Sequence, residues 1–254
     1  MRVQNEYVLK LIEKGERIDG RALDEYRLVQ VEKGVIQNAE GSARVKIGNT
    51  EVLAGVKLAV EQPFPDKPEE GLLIVNAEFS PIASPLFETG PPSEEAIELA
   101  RVVDRGIRES KAIQMEKLCI EPGEKAWAVF IDIHIINHAG NLLDASALAA
   151  LAALLDARFP GWDGQKVDYT VRGDKLPIQH KPIAVSFTKV GNTFLLDPNL
   201  EEESVMEGKL IITSKEDGNI CAIQKTGPLV LRLEEIDDLL GKAGKYAEKL
   251  RRMV

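Results

Sequence analysis

The chain has 254 residues, 32 Lys+Arg against 41 Asp+Glu, and a formal net charge of −9. Its 44% hydrophobic and 29% charged residues are a globular balance and exclude general disorder. The acidity argues against a stand-alone nucleic-acid binder, which wants a basic face, but it is unevenly spread. Residues 61–98 hold nine acids and one base, Lys67, so that segment carries −8 and the rest of the chain −1.

No run approaches the roughly 18 to 20 apolar residues of a bilayer span, so no membrane partner is expected. The start, Met1-Arg2-Val3-Gln4-Asn5-Glu6, lacks the apolar stretch of a secretory signal. Cys119 and Cys221 sit in apolar stretches without CxxC spacing, which predicts buried thiols in a reducing compartment. The chain therefore reads as cytoplasmic.

In chain order, residues 4–15 predict a short helix stopped by Gly15. Strand character begins at Val29. Ala43, Val45 and Ile47 alternate with Arg44 and Lys46, and Gly48-Asn49-Thr50 turns the chain into Val52–Val56, a hairpin. Three prolines within 62–70 make that segment an exposed loop. Leu72–Phe79 is a further strand. Ser93 caps the clearest helix, with Glu94 and Glu95 in its first turn. Ala96, Leu99, Ala100, Val103 and Ile107 share one face, and Arg101, Arg105 and Arg108 share the opposite one. Trp127–Ile136 is a long strand, and the Ala/Leu-rich stretch from Leu142 to Ala157 is a helix buried on most sides. Strands near 183–190, 193–196, 209–214 and 220–225 and a helix over about 232–252 repeat the alternation. The fold class is α+β, in two related β/α halves of about 1–160 and 161–254 within a single unit.

Each chemical motif has a bland reading. Gly140-Asn141-Leu142-Leu143 leads from strand to helix, where amides can hold phosphate, but it lacks the usual Ser, Thr, Lys or Arg. His134 and His138 have HxxxH spacing, yet on a strand four residues span roughly 13 Å, too far for one metal. Glu201, Glu202, Glu203 and Glu207 read as a solvated charged loop rather than a metal cluster, given Lys209 and Lys215 nearby. Neither metal nor cofactor is expected. The arginine stripe fits a phosphate backbone; equally, Glu98–Arg101, Asp104–Arg108 and Arg105–Glu109 could pair locally.

Four stretches carry a more specific signal: Arg17-Ile18-Asp19-Gly20-Arg21 through Arg27, Gly41-Ser42-Ala43-Arg44 through Thr50, the Ser93–Lys111 helix, and Asp197-Pro198-Asn199-Leu200 through Glu203. In this order, over nearly the whole chain, they resemble the RNase PH family of phosphate-dependent 3′-to-5′ exoribonucleases, and most of all the non-catalytic RNase PH-like subunits of archaeal exosomes. The resemblance implies the RNase PH-like (ribosomal protein S5 domain 2-like) fold. It also implies a hexameric ring of three heterodimers with a catalytic RNase PH-like sister, RNA-binding cap proteins, and RNA as substrate.

Departures from the catalytic pattern decide the role expected of this chain. Catalytic members begin the middle helix with Ser-Arg-Arg; here the residues are Ser93-Glu94-Glu95. Their Gly-(Ser/Thr)-Arg phosphate loop is Asn141-Leu142-Leu143 here, and counting six residues from Glu203 to their general acid reaches Lys209. Phosphorolysis needs a held phosphate and a proton donor or metal-binding carboxylate at the leaving oxygen. The expectation is no catalytic residue in this subunit and RNA contacts from Arg101 and Arg105, which the resemblance places near the sister's active site. An alternative is an autonomous phosphorolytic exoribonuclease or nucleotidyltransferase with a shifted acid, Glu203 or Glu207. A purely architectural ring component is a third.

Overall fold

The structure, a computed structural model, describes residues 2–254. Helix α1 (Arg2–Glu13) runs to Gly15, which takes the left-handed conformation of a helix stop. Then come β1 (Val29–Lys33), β2 (Gly41–Ile47), β3 (Thr50–Glu61) and β4 (Leu72–Phe79). Alternating burial along β2 and β3 sends Val45, Ile47, Val52, Ala54 and Val56 into the core. Ile47 pairs with Thr50 across the two-residue turn, where Gly48 sits at φ 57°.

Helix α2 (Glu94–Glu109) and the long strand β6 (Lys125–Asn137) follow, with a 3-10 turn at Met115–Leu118 and a short β5 (Cys119–Glu121) between them. The first sheet has the order β1-β2-β3-β6-β4, with β4 parallel to β6 across the α2 crossover and β5 paired to β6. Next is α3 (Leu142–Asp156), with eleven buried residues. A hairpin of β7 (Arg158–Trp162) and β8 (Val167–Lys175) comes after it and has no counterpart in the sequence reading. Proline and glycine inside Arg158-Phe159-Pro160-Gly161-Trp162 hide the strand pattern.

The second half forms a four-stranded sheet, β10 (Thr193–Leu196)-β9 (Ile183–Val190)-β11 (Gly208–Ser214)-β12 (Ile220–Thr226), closed by α5 (Leu233–Arg251). Every residue of β9 is buried, because both faces are covered. Ala184 packs with Val102 of α2 and Ser186 bonds Asp144 of α3, whereas Lys189 reaches Glu235 of α5. One continuous apolar core therefore takes residues from both sheets, α2, α3 and α5.

Three expectations are corrected. Cys119 and Cys221 are half-buried, not buried; each lies on a short or edge strand that one side of the protein leaves uncovered. Residues 200–203 are not a solvated loop: they form a short helix, α4 (Leu200–Glu203), and Glu202 is fully buried. Of the three local ion pairs expected on α2, only Asp104–Arg108 forms among the described residues.

Candidate functional site

Helix α2 begins where the Ser93 side chain accepts the Ala96 N–H, and Glu94 and Glu95 complement the positive end of the helix. Two faces of α2 are buried. Leu99, Val103 and Ile107 enter the main core, and Val102 meets Ala184 and Ile211 of the second sheet. That leaves a narrow exposed strip, and Arg101 and Arg105 occupy it. They are one turn apart, about 6 Å along the axis.

Neither has a carboxylate within 4.0 Å among the described residues. Glu98, the expected partner of Arg101, instead accepts from the Thr226 hydroxyl at 3.1 Å. Arg108 leaves the stripe. It donates to Asp104 at 2.8 and 3.1 Å and to the Leu73 carbonyl at 3.0 Å, which ties α2 to β4. Arg101 and Arg105 share a shallow groove with Thr213, Ala222, Ile223 and Gln224. The groove runs beside β12, an edge strand whose outer backbone groups have no partner in the sheet. Two free cations beside an open strand edge can hold phosphates of a flexible chain or meet another subunit, but they supply no acid or base.

The positions that resemble a catalytic centre are arranged differently. Glu94 and Glu95, with Glu78, Glu88 and Asp132, line an open cleft of about 950 Å³ without a single Lys or Arg. A polyanion entering it meets only like charge. His134, on its wall, contacts Glu78 at 3.2 Å, whereas His138 stacks on Phe87 at 5.4 Å, so the two imidazoles have separate neighbours. No group of three His, Cys, Asp or Glu at metal-binding spacing occurs among the described residues.

Beyond β6, Gly140 adopts φ 92°, and a Cβ there would fall 2.5 Å from the Pro198 carbonyl oxygen. Only glycine permits this close crossing, which brings the 197–203 segment onto the start of α3. Asn141, left-handed at φ 53° and almost fully buried, donates from Nδ2 to Asp144 at 3.0 Å and to Asp197 at 2.9 Å. Its backbone N–H donates to Glu203 at 3.2 Å, and Lys209 Nζ reaches the same Glu203 oxygen at 2.8 Å. Lys209, at the position expected for the acid, is thus a counter-ion.

The sequence reading did not foresee the buried polar network beneath. Asp197 receives Arg27 through Nε at 2.8 Å and Nη2 at 2.7 Å, and Arg21 at 3.1 Å. Burial opposes the ionised Asp197 carboxyl, but Arg27 prevails and holds it below its ordinary value. Asp144 accepts from Ser186, Tyr26 and Asn141, yet burial outweighs them and pushes its carboxyl up. The signal was the clustering of Arg17, Arg21 and Arg27 with Asp197 and Glu202 in the two stretches that carry the family resemblance; spacing alone could not join them.

The 3′ exoribonuclease family model, RNase PH, matches residues 25–160 with its domain 1 and residues 180–245 with its domain 2. The chain belongs to the RNase PH family. Among curated relatives, the exosome complex component Rrp42 of Pyrococcus furiosus is 47% identical, covering 99% of this chain and 92% of the relative. The Archaeoglobus fulgidus Rrp42 is 49% identical over 98% and 95%. Among solved structures, a chain of the Archaeoglobus fulgidus exosome with RNA bound to the active site superposes with a TM-score of 0.92 at 48% identity, covering 99% and 97%. A chain of an archaeal exosome core gives 0.88 at 46% identity, covering 98% and 95%. The α+β class and the two related halves are those of RNase PH proteins. The coverage extends to α1 and the last turns of α5, beyond the segments matched by the family model.

Proposed function

We propose that this RNase PH protein is a non-catalytic ring subunit of an archaeal exosome. It alternates with a catalytic RNase PH-like sister as three heterodimers, under RNA-binding cap proteins, in the cytoplasm. Its part in phosphate-dependent 3′-to-5′ RNA degradation is to support the sister's active site and to hold RNA through Arg101 and Arg105. The observation that carries this reading is the contrast on α2: two unpaired arginines beside an open strand edge, and carboxylates at the helix start where phosphate would otherwise be held.

The reading of an autonomous enzyme with a shifted acid is not favoured. Of its two candidate acids, the Glu203 carboxylate is engaged by Lys209 and an amide, and Glu207 is exposed beside the start of β11. A carboxylate oxygen that already accepts from an ammonium and an amide is not placed to serve a leaving group.

The test is an RNA decay assay with inorganic phosphate on each protein alone and on the reconstituted ring. The expected result is no decay by this chain alone, and faster decay by the ring than by the sister alone. Phosphate-dependent release of nucleoside diphosphates by this chain alone would overturn the proposal.

A further inference from the structure

The β7–β8 hairpin carries a long bulge. Pro160 faces Arg172 and the next residue, Gly161, faces Asp168, so Tyr169, Thr170 and Val171 have no partner across the hairpin. The extra residues carry Tyr169 out of the ladder and onto the first sheet. Its hydroxyl donates to the Leu58 carbonyl of β3 at 3.2 Å, and Lys57 Nζ lies 4.7 Å from the centre of its ring.

The bulge borders a pocket of about 240 Å³ between the hairpin and residues 37–40, and Arg158 and Arg172 both line it. One carbonyl holds each guanidinium: Arg158 Nη1 donates to Gly173 at 3.2 Å, and Arg172 Nη2 to Gln37 at 3.3 Å. A single bond steadies a fork of five N–H donors and leaves most of them uncommitted. Neither guanidinium has a carboxylate within 4.0 Å among the described residues. Glu40, the acid in the lining, accepts instead from Lys57 at 2.7 Å and from the Leu58 N–H at 2.8 Å. Asp168, at the foot of the bulge, accepts from the Thr170 N–H and hydroxyl. In a chain of net charge −9, this pocket keeps two cations unmatched.

Its volume is below the roughly 300–1,000 Å³ of a site for a whole small molecule and suits a phosphoryl group. Two planar forks converging on one oxyanion can grip it through paired N–H···O bonds. Tyr169, 53% exposed beside them, offers ring surface on which a base can stack. No residue of the Arg101–Arg105 groove lines this pocket.

We propose that Arg158 and Arg172 form a second phosphate seat of this subunit, which takes one phosphodiester of a single-stranded RNA, with Tyr169 against the adjoining base. The oxyanion seat stands on the pocket alone; that its phosphate belongs to RNA rests on the proposed function.

The experiment uses the full chain carrying Arg101→Gln and Arg105→Gln, so that the α2 groove does not contribute. Inorganic phosphate, at constant ionic strength, and a labelled oligoadenylate are titrated separately, and the Nε–H resonances of Arg158 and Arg172 are followed. Both ligands are expected to move these resonances, the oligoadenylate at the lower concentration. Adding Arg158→Gln and Arg172→Gln is expected to weaken oligoadenylate binding roughly tenfold and to lower the slope of log K against log salt by about 0.7. Should that variant fail to fold, Arg158→Lys with Arg172→Lys keeps both charges, and must weaken binding while leaving the slope in place. Resonances that move with phosphate but not with oligoadenylate overturn the RNA assignment. Resonances that move with neither overturn the seat, as does movement with a polyglutamate peptide alone, which marks a protein-docking surface. RNA decay is not measured, so failure here leaves the proposed function standing, and failure of the decay assay leaves the phosphate titration intact.

Discussion

Arg17 donates from Nε and Nη2 to the two carboxylate oxygens of Glu202, at 2.8 and 2.6 Å, and neither side chain reaches solvent. The remaining donors of the guanidinium go to the carbonyls of Leu196, Asp197, Ala22 and Glu25. Glu202 also accepts the Asn199 N–H, closing a capping box on α4. One buried pair, separated by 185 residues, thus ties the segment after α1 to α4, the short helix that ends in Glu203.

Removing one partner of a satisfied buried pair strands the other charge, at a cost of roughly 3–5 kcal/mol. Glu202→Gln and Arg17→Met are each expected to lower stability by about that much in urea unfolding. The double variant Arg17→Met with Glu202→Met should lose much less than the sum, since no charge is left unpaired. Additive single effects would show that the two residues do not act as a pair.

The acid limb of stability should depend on Asp197. Its folded carboxyl is held below the unfolded value of about 3.9, so below that value the unfolded chain binds the proton more tightly. The stability it contributes is complete above about pH 4 and is lost as pH falls through the depressed folded value. Asp144 has the opposite sign: its carboxyl is raised by burial, so its contribution is full below about 3.9 and lost as pH rises through the folded value. Urea midpoints measured against pH should show a flatter acid limb for Asp197→Asn. Asp144→Asn should remove a decline above about pH 4. Acid limbs of equal slope in Asp197→Asn and the wild type would refute the first assignment.

The three arginines of α2 should separate in a salt titration of RNA binding by the reconstituted ring. Each single-strand phosphate contact contributes about 0.7 to the slope of log K against log salt. Arg101→Gln with Arg105→Gln is therefore expected to weaken binding and reduce the slope by about 1.4. Arg108→Gln should leave the slope unchanged, because that guanidinium serves Asp104 and the Leu73 carbonyl, and should instead lower stability by about 1 kcal/mol. An unchanged slope in the double variant would favour a purely architectural subunit.

Much of the fold was legible because its signals are local. Alternation in Ala43–Ile47, the Gly48-Asn49 turn, the Ser93 cap and the apolar spacing from Ala96 to Ile107 each act within a few residues, and the elements form where those patterns lie. The β7–β8 hairpin was not legible, since Pro160 and Gly161 interrupt its pattern and its pairing is decided by neighbours. At the site, the sequence alone determined which side chains stand at positions 94, 95, 143 and 209, because Glu94, Glu95, Leu143 and Lys209 are matters of residue identity. Only the tertiary structure decided what the remaining charges do. Arg101, Arg105 and Arg108 are alike as a helical stripe, yet the carbonyl of Leu73 claims Arg108 and leaves the other two free. Glu202 and Glu203 are neighbours in one acidic run, yet one is sealed against Arg17 and the other occupies the head of α3. Chain order specifies a charge, but its partner comes from segments far away in sequence, and a charge's role is set by that partner and by how much water is left around both.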